Sequence, residues 1–262
     1  MTCSPEWDSG ACVKHQYVGD ISDYRKYALL RALSWDGANS IGICWILTPD
    51  DGGMDGRKLA YLGQPEQHRR FDPELFDILA HAASEPDRRR LQTIEDSGAI
   101  AGALYYNETL PDDAAGRLAF IERCASEFRD TDLVFFDPDN GLEGSLPKGR
   151  KNSSKYLYLD EAASFYDSGK SLLIYQHFPR VERTVFMASC VARLRGIAPG
   201  CAVWAFTTAH VVFFLLINPE SPARLAVAAM EACGRWDKGF VTGQYVAREY
   251  ASAPIIDSRI RV

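Results

Sequence analysis

Blocks of apolar residues with two different spacings run through this chain and set out its elements before any chemistry is read. Tyr27, Leu30 and Leu33 recur at helical spacing in 23–35, which predicts an amphipathic helix stopped by Gly37. A short apolar run over 41–47 then ends in TPDDGGMDG, the pattern of a buried strand entering a turn. Residues 63–100 are polar and helix-prone, with Asp72 before Pro73 as a capping residue and first-turn proline, so a helical insertion is expected there. Beyond it the pattern predicts a strand around Tyr105 and Tyr106, a helix over 117–128 and a strand over 133–136 that stops at Asp137-Pro138. A helix-like YLDEAASFYDSG follows, then a strand over 171–175, a helix over 185–195 and two strands over 202–206 and 211–217 joined by TTAH as a hairpin. Strands that alternate with helices and close on a hairpin predict an α/β sheet, parallel for the most part, with helices on both faces.

Size and composition narrow the class. The chain has 262 residues, 47% hydrophobic and 24% charged, so it can bury a full core without a disulfide or metal staple. No repeat or linker divides it, which predicts one domain over 1–262 with 1–13 as a flexible tail. Its seven cysteines form no CxxC pair, which disfavours zinc-ribbon and disulfide frameworks and predicts reduced, buried thiols in a cytoplasmic protein. The charged N-terminus lacks a signal-peptide core, and the longest apolar run, 211–217, is far too short to span a membrane. A net charge of −6 speaks against a wholesale nucleic-acid coat, while local basic clusters survive within it: Lys148, Arg150, Lys151 and Lys155 in one loop, and Arg69, Arg70, Arg88, Arg89 and Arg90 in the insertion.

Ligands of such sheets bind at the carboxyl ends of the strands, and three ends carry candidate chemistry. The first, Thr48 to Gly56, offers Asp50, Asp51 and Asp55 among Gly52, Gly53 and Gly56, suited to a ribose or an ammonium, or equally to a solvated turn. The second, Asp137-Pro138-Asp139-Asn140-Gly141, places two carboxylates and an amide after four apolar residues, although the same residues favour plain turns. The third holds His177, Phe178 and Arg180, with a structural histidine as the bland reading.

Four segments in order resemble class I S-adenosylmethionine-dependent methyltransferases, and more narrowly the RlmJ-type enzymes that methylate an adenine amino group of large-subunit ribosomal RNA. GDISDYRKY at 19–27 is similar to that family's N-terminal GNHADVLKH, with Gly19, Asp23 and Lys26 coinciding and with Asp20 and Tyr27 in place of Asn and His. The strand and turn over 44–56 stand where the family has its cofactor strand and acidic glycine-rich loop. LVFFDPDNG corresponds to the strand ending in Asp-Pro-Pro-Tyr, and LLIYQHFPR to the next strand with its aromatic-proline element.

The resemblance implies a Rossmann-like methyltransferase fold, with a mostly parallel seven-stranded sheet ending in an antiparallel hairpin and carrying a helical insertion. It implies S-adenosylmethionine as cofactor, held by Lys26, Thr48, Asp50, Asp51, Gly52 and Gly53. Asp137, Pro138, Asp139 and Asn140 become the catalytic turn, and Tyr17, His177, Phe178, Lys148, Arg150 and Lys151 the substrate contacts, with RNA or DNA as partner. Asp139 and Asn140 replace the family's second proline and aromatic, so base stacking from that position is lost and Tyr17, Tyr24 or Phe178 would have to supply a face. Two other readings stand beside this one: a metal-dependent nuclease or phosphoesterase using Asp137, Asp139, Glu143 and His177, and a non-catalytic binding protein of the methyltransferase fold.

Overall fold

A computed structural model describes residues 17–48 and 58–246. The chain runs α1 (Ile21–Ser34), β1 (Ile41–Cys44), the helical insertion α2 (Pro65–His68), α3 (Pro73–Ala83) and α4 (Leu91–Asp96), then β2 (Leu104–Tyr106), α5 (Ala114–Glu127) and β3 (Leu133–Phe136). A two-stranded ladder of β4 (Gly141–Leu142) and β5 (Tyr156–Leu157) leads to α6 (Leu159–Asp167), β6 (Ser171–His177), α7 (Arg183–Ile197), β7 (Ala202–Thr207), β8 (Val211–Ile217), α8 (Ala223–Arg235) and β9 (Thr242–Val246). The main sheet has seven strands in the order β2-β1-β3-β6-β8-β7-β9. β2, β1, β3 and β6 pair in parallel, and β8 enters antiparallel between β6 and β7.

Alternation along the strands explains why continuous apolar runs are needed. Ile41, Ile43, Leu133, Phe135, Leu173, Phe213 and Leu215 enter one core with α1, α3, α4 and α8. Cys44, Val134, Phe136, Leu172, Ile174, Val212, Phe214 and Leu216 enter the other with α5, α6 and α7. Each fully buried Leu or Phe contributes roughly 1.5–3 kcal/mol, so a sheet covered on both faces demands unbroken hydrophobic strands. Gly42 marks a tight contact within this core, since a Cβ there would lie 2.5 Å from the Phe128 ring.

Two expectations need correction. The apolar run over 41–47 is a strand only as far as Cys44, because Ile46 takes a left-handed φ of 47°, which a β-branched residue adopts only when its surroundings force it. The sheet also does not end on its hairpin, because α8 follows it and β9 adds an antiparallel edge to β7. The insertion is clamped to α1. The Tyr24 hydroxyl donates to the carbonyls of His68 and Asp72, and Arg31 pairs at 2.8 Å with the Asp72 carboxylate that caps α3. The five described cysteines are free thiols, and among the described residues no helix is long and apolar enough to cross a membrane.

Candidate functional site

β2 and β3 lie on opposite sides of β1, so the direction of strand addition reverses between β1 and β3. In open α/β sheets the crevice beyond the carboxyl ends at such a point is the ligand site. Here the ends are joined by specific contacts. The Asp137 amide donates to the Cys44 carbonyl at 3.1 Å, and the Thr48 hydroxyl donates to Asp139 Oδ2 at 2.8 Å.

The Asp137 side chain follows Phe135 on the face covered by α1. Lys26 Nζ reaches it there at 2.9 Å and Asp23 Oδ1 at 2.7 Å, and all three side chains are under 10% exposed. Asp23 stands one helical turn before Lys26, which lets both meet over the sheet. Tyr27 donates to Asp23 Oδ2 at 3.2 Å, and the Lys26 ammonium lies 5.4 Å from the Tyr27 ring and 5.6 Å from that of Trp45. α1 is aimed by its own cap: Asp20 accepts the Ser22 amide at 2.9 Å and the Lys58 amide at 2.9 Å, anchoring the returning chain.

Burial disfavours a charged lysine, but Asp137 and then Asp23 outweigh it and hold the Lys26 pKa well above the ordinary lysine value. Desolvation raises Asp23, with Lys26 offsetting part of the rise. Tyr175, the residue that follows Leu173 on the same face of β6, is the member of this group that motif reasoning passes over. Its phenol is raised by burial first and by Asp137 next, and its hydroxyl makes no hydrogen bond with another described residue. The period-two alternation of β6 was the available signal, since it puts Tyr175 on the α1 face beside Asp137.

The remaining candidates fall elsewhere. Asn140 is held by its backbone, its amide donating to the Lys155 carbonyl and its carbonyl accepting from Gln176. Pro138 ends the ladder of β3 without strand pairing of its own. Tyr17 precedes α1 and its carbonyl accepts the Asp20 amide. His177 is exposed at the end of β6, while Phe178 is 8% exposed and packs against Phe186 with Arg183 over its ring. The basic loop lies against α5 and α6, on the other face of the sheet from Lys26. Lys148 is bound at 2.6 Å by Asp160, and the Asn152 and Ser154 amides donate to Asp112, while Arg150 and Lys151 are exposed. Asp50, Asp51, Gly52 and Gly53 lie outside the described residues.

No set of three His, Cys, Asp or Glu side chains among the described residues converges as metal ligands. Glu143 is turned toward Arg193 and the Leu159 amide, so the oxygen-rich set foreseen for a metal does not assemble from those residues. No protein-family model matches the chain, and no curated protein matches it.

Proposed function

We propose that this chain is an S-adenosylmethionine-dependent methyltransferase with a Rossmann-like fold, acting on an amino group of a nucleic-acid base. The observation that carries the reading is the position of Asp137: a strand-end Asp-Pro at the reversal point of the sheet, fixed by Lys26 from α1. The insertion of β8 between β6 and β7 and the resemblance of 19–27 and 133–141 to the methyltransferase pattern support it further.

The residues at this edge suit such a cofactor chemically. Asp23 and Asp137 face the single ammonium of Lys26, an acceptor-rich surface for a group that carries a sulfonium and an ammonium. Thr48 opens the turn whose Asp50, Asp51, Gly52 and Gly53 would hold it. When bound, S-adenosylmethionine supplies a methyl group on a sulfur that departs as a neutral thioether.

The chain's own residues do the positioning. Asp137 and the Pro138 carbonyl accept the two hydrogens of the substrate amino group, which turns its nitrogen lone pair toward the methyl donor. Lys26 holds Asp137 stationary, acting through it as a positioning residue. Burial of this group at 2% exposure for Asp137 excludes water and strengthens each of these contacts.

Calorimetry with S-adenosylmethionine and S-adenosylhomocysteine, followed by transfer of labelled methyl groups to RNA and DNA, tests the proposal. Saturable heat with both ligands and label incorporation that Asp137→Ala abolishes are expected. Absence of binding to either ligand at millimolar concentration overturns it.

A further inference from the structure

A cleft of about 500 Å³ opens between the insertion and the turn that follows α8, lined by Arg25, His68, Arg70, Phe71, Asp237 and Phe240 among others. Arg25 occupies the position before Lys26 on α1, so one helix carries residues of both the cleft and the site. Arg70 already has a counter-ion in Asp237 at 2.5 Å. Arg25 has none. It is half-buried, one terminal nitrogen donates to the Gly239 carbonyl at 3.1 Å, its Nε is buried without a partner, and no carboxylate of the described residues lies within ion-pair distance.

A desolvated guanidinium that Asp20 compensates only from beyond ion-pair distance is an expensive arrangement that a bound anion relieves. Phe71 and Phe240, stacked at 4.3 Å, form an apolar floor that lowers the local dielectric and strengthens that attraction. Burial and the neighbouring Arg25 and Arg70 also depress the basicity of His68, another sign of uncompensated positive potential. Glu66 at the rim is exposed, so solvent screens its opposing charge.

The positive potential continues toward the strand ends. In the turn between β7 and β8 the His210 carbonyl accepts the Phe178 amide, Arg183 donates to the Ala209 carbonyl, and His177 pairs with Val211, while the Lys58 amide is held by Asp20 at the start of α1; burial and then Lys58, His177, Arg25 and Arg183 lower the basicity of His210. Lys58, His177 and Arg183 are exposed. This run of basic groups joins the cleft to the carboxyl end of β6, whereas the Lys148 loop lies on the opposite face.

We propose that the cleft binds a phosphate of a nucleic-acid strand on Arg25 and that Lys58 and Arg183 lead the strand from there to Asp137. The identity of the strand as substrate rests on the methyltransferase reading; the anion site stands on the cleft.

Fluorescence anisotropy of a short labelled single-stranded RNA, and of DNA of the same sequence, is titrated at several salt concentrations. Arg25→Ala is expected to weaken binding about tenfold and to make the slope of log affinity against log salt shallower by about 0.7, the release expected of one single-strand phosphate contact. Lys58→Ala/Arg183→Ala, at two exposed positions, is expected to make it shallower by about 1.4. A folded Arg25→Ala protein with wild-type affinity and slope overturns the proposal, and if that variant fails to fold, an unchanged slope in the double variant does so. Calorimetric binding of adenosine monophosphate that matches the strand's affinity and is lost in Arg25→Ala overturns the strand in favour of a free nucleotide. S-adenosylmethionine calorimetry keeps the two proposals apart. Missing cofactor heat with Arg25-dependent strand binding sinks the methyltransferase alone, and the reverse pattern sinks the cleft alone.

Discussion

Lys26 and Asp137 lie 111 residues apart in sequence, and their side chains meet at 2.9 Å beneath α1, with Asp23 closing the group from the other side. One ammonium thus serves two buried carboxylates, and the position of Asp137 at the end of β3 depends on a residue delivered by a different layer of the fold.

Removing that ammonium takes from two buried carboxylates the cation they share. Lys26→Met is expected to destabilise the protein by about 3–5 kcal/mol, the usual cost of breaking a buried pair, read as a lower midpoint in urea unfolding. The sign with pH follows from the raised Lys26 pKa. The contribution is complete below the unfolded lysine value of roughly 10.4 and is lost as pH rises through the higher folded value. Wild type should therefore lose more stability than Lys26→Met on the alkaline side, and parallel alkaline profiles would refute the coupling.

Tyr175→Phe deletes a hydroxyl that bonds to no other described residue, so stability should stay within about 0.5 kcal/mol of wild type. Under the methyltransferase proposal the same change lowers methyl transfer, because Tyr175 follows Ile174, the partner of Phe136, onto the sheet face that carries Asp137. A variant with unchanged unfolding and unchanged transfer would remove Tyr175 from the site.

Thr48→Val keeps the shape of the side chain and removes its hydrogen bond to Asp139. A loss of about 1.5–3 kcal/mol in denaturant unfolding is expected for a bond to a carboxylate acceptor. Because that bond ties the end of β1 to the turn after β3, faster amide exchange at 137–141 should accompany it.

Gly42→Ala drives a Cβ into the Phe128 ring. Overpacking should cost about 1–3 kcal/mol. Phe128→Leu in the same chain should recover part of it, and strict additivity of the two changes in a double-mutant cycle would show that the ring is not the obstacle.

Local pattern carried most of the secondary structure. The run 133–136 matches β3 and 211–217 matches β8 because strands buried on both faces must be apolar throughout, and Asp72-Pro73 marks the start of α3 because cap and first-turn chemistry are local. α8 went unread because the alanine-rich face of Leu225, Ala228, Ala229 and Ala232 is a weak hydrophobic signal beside β8. Edge strand β9 has a single buried residue, Val246, and so carries almost no alternation to read.

What the sequence by itself determined is therefore the α/β class, most of the element order and the strand ends worth searching, since each depends on residues close in the chain. Tertiary structure alone decided that Ile46 breaks β1, that Lys148 is taken by Asp160 while Arg25 has no ion-pair partner among the described residues, and that Lys26, Asp23, Asp137 and Tyr175 come together on one face of the sheet. Those outcomes turn on which charges meet across the layers of the fold and how deeply they are desolvated, and neither quantity is carried by local spacing.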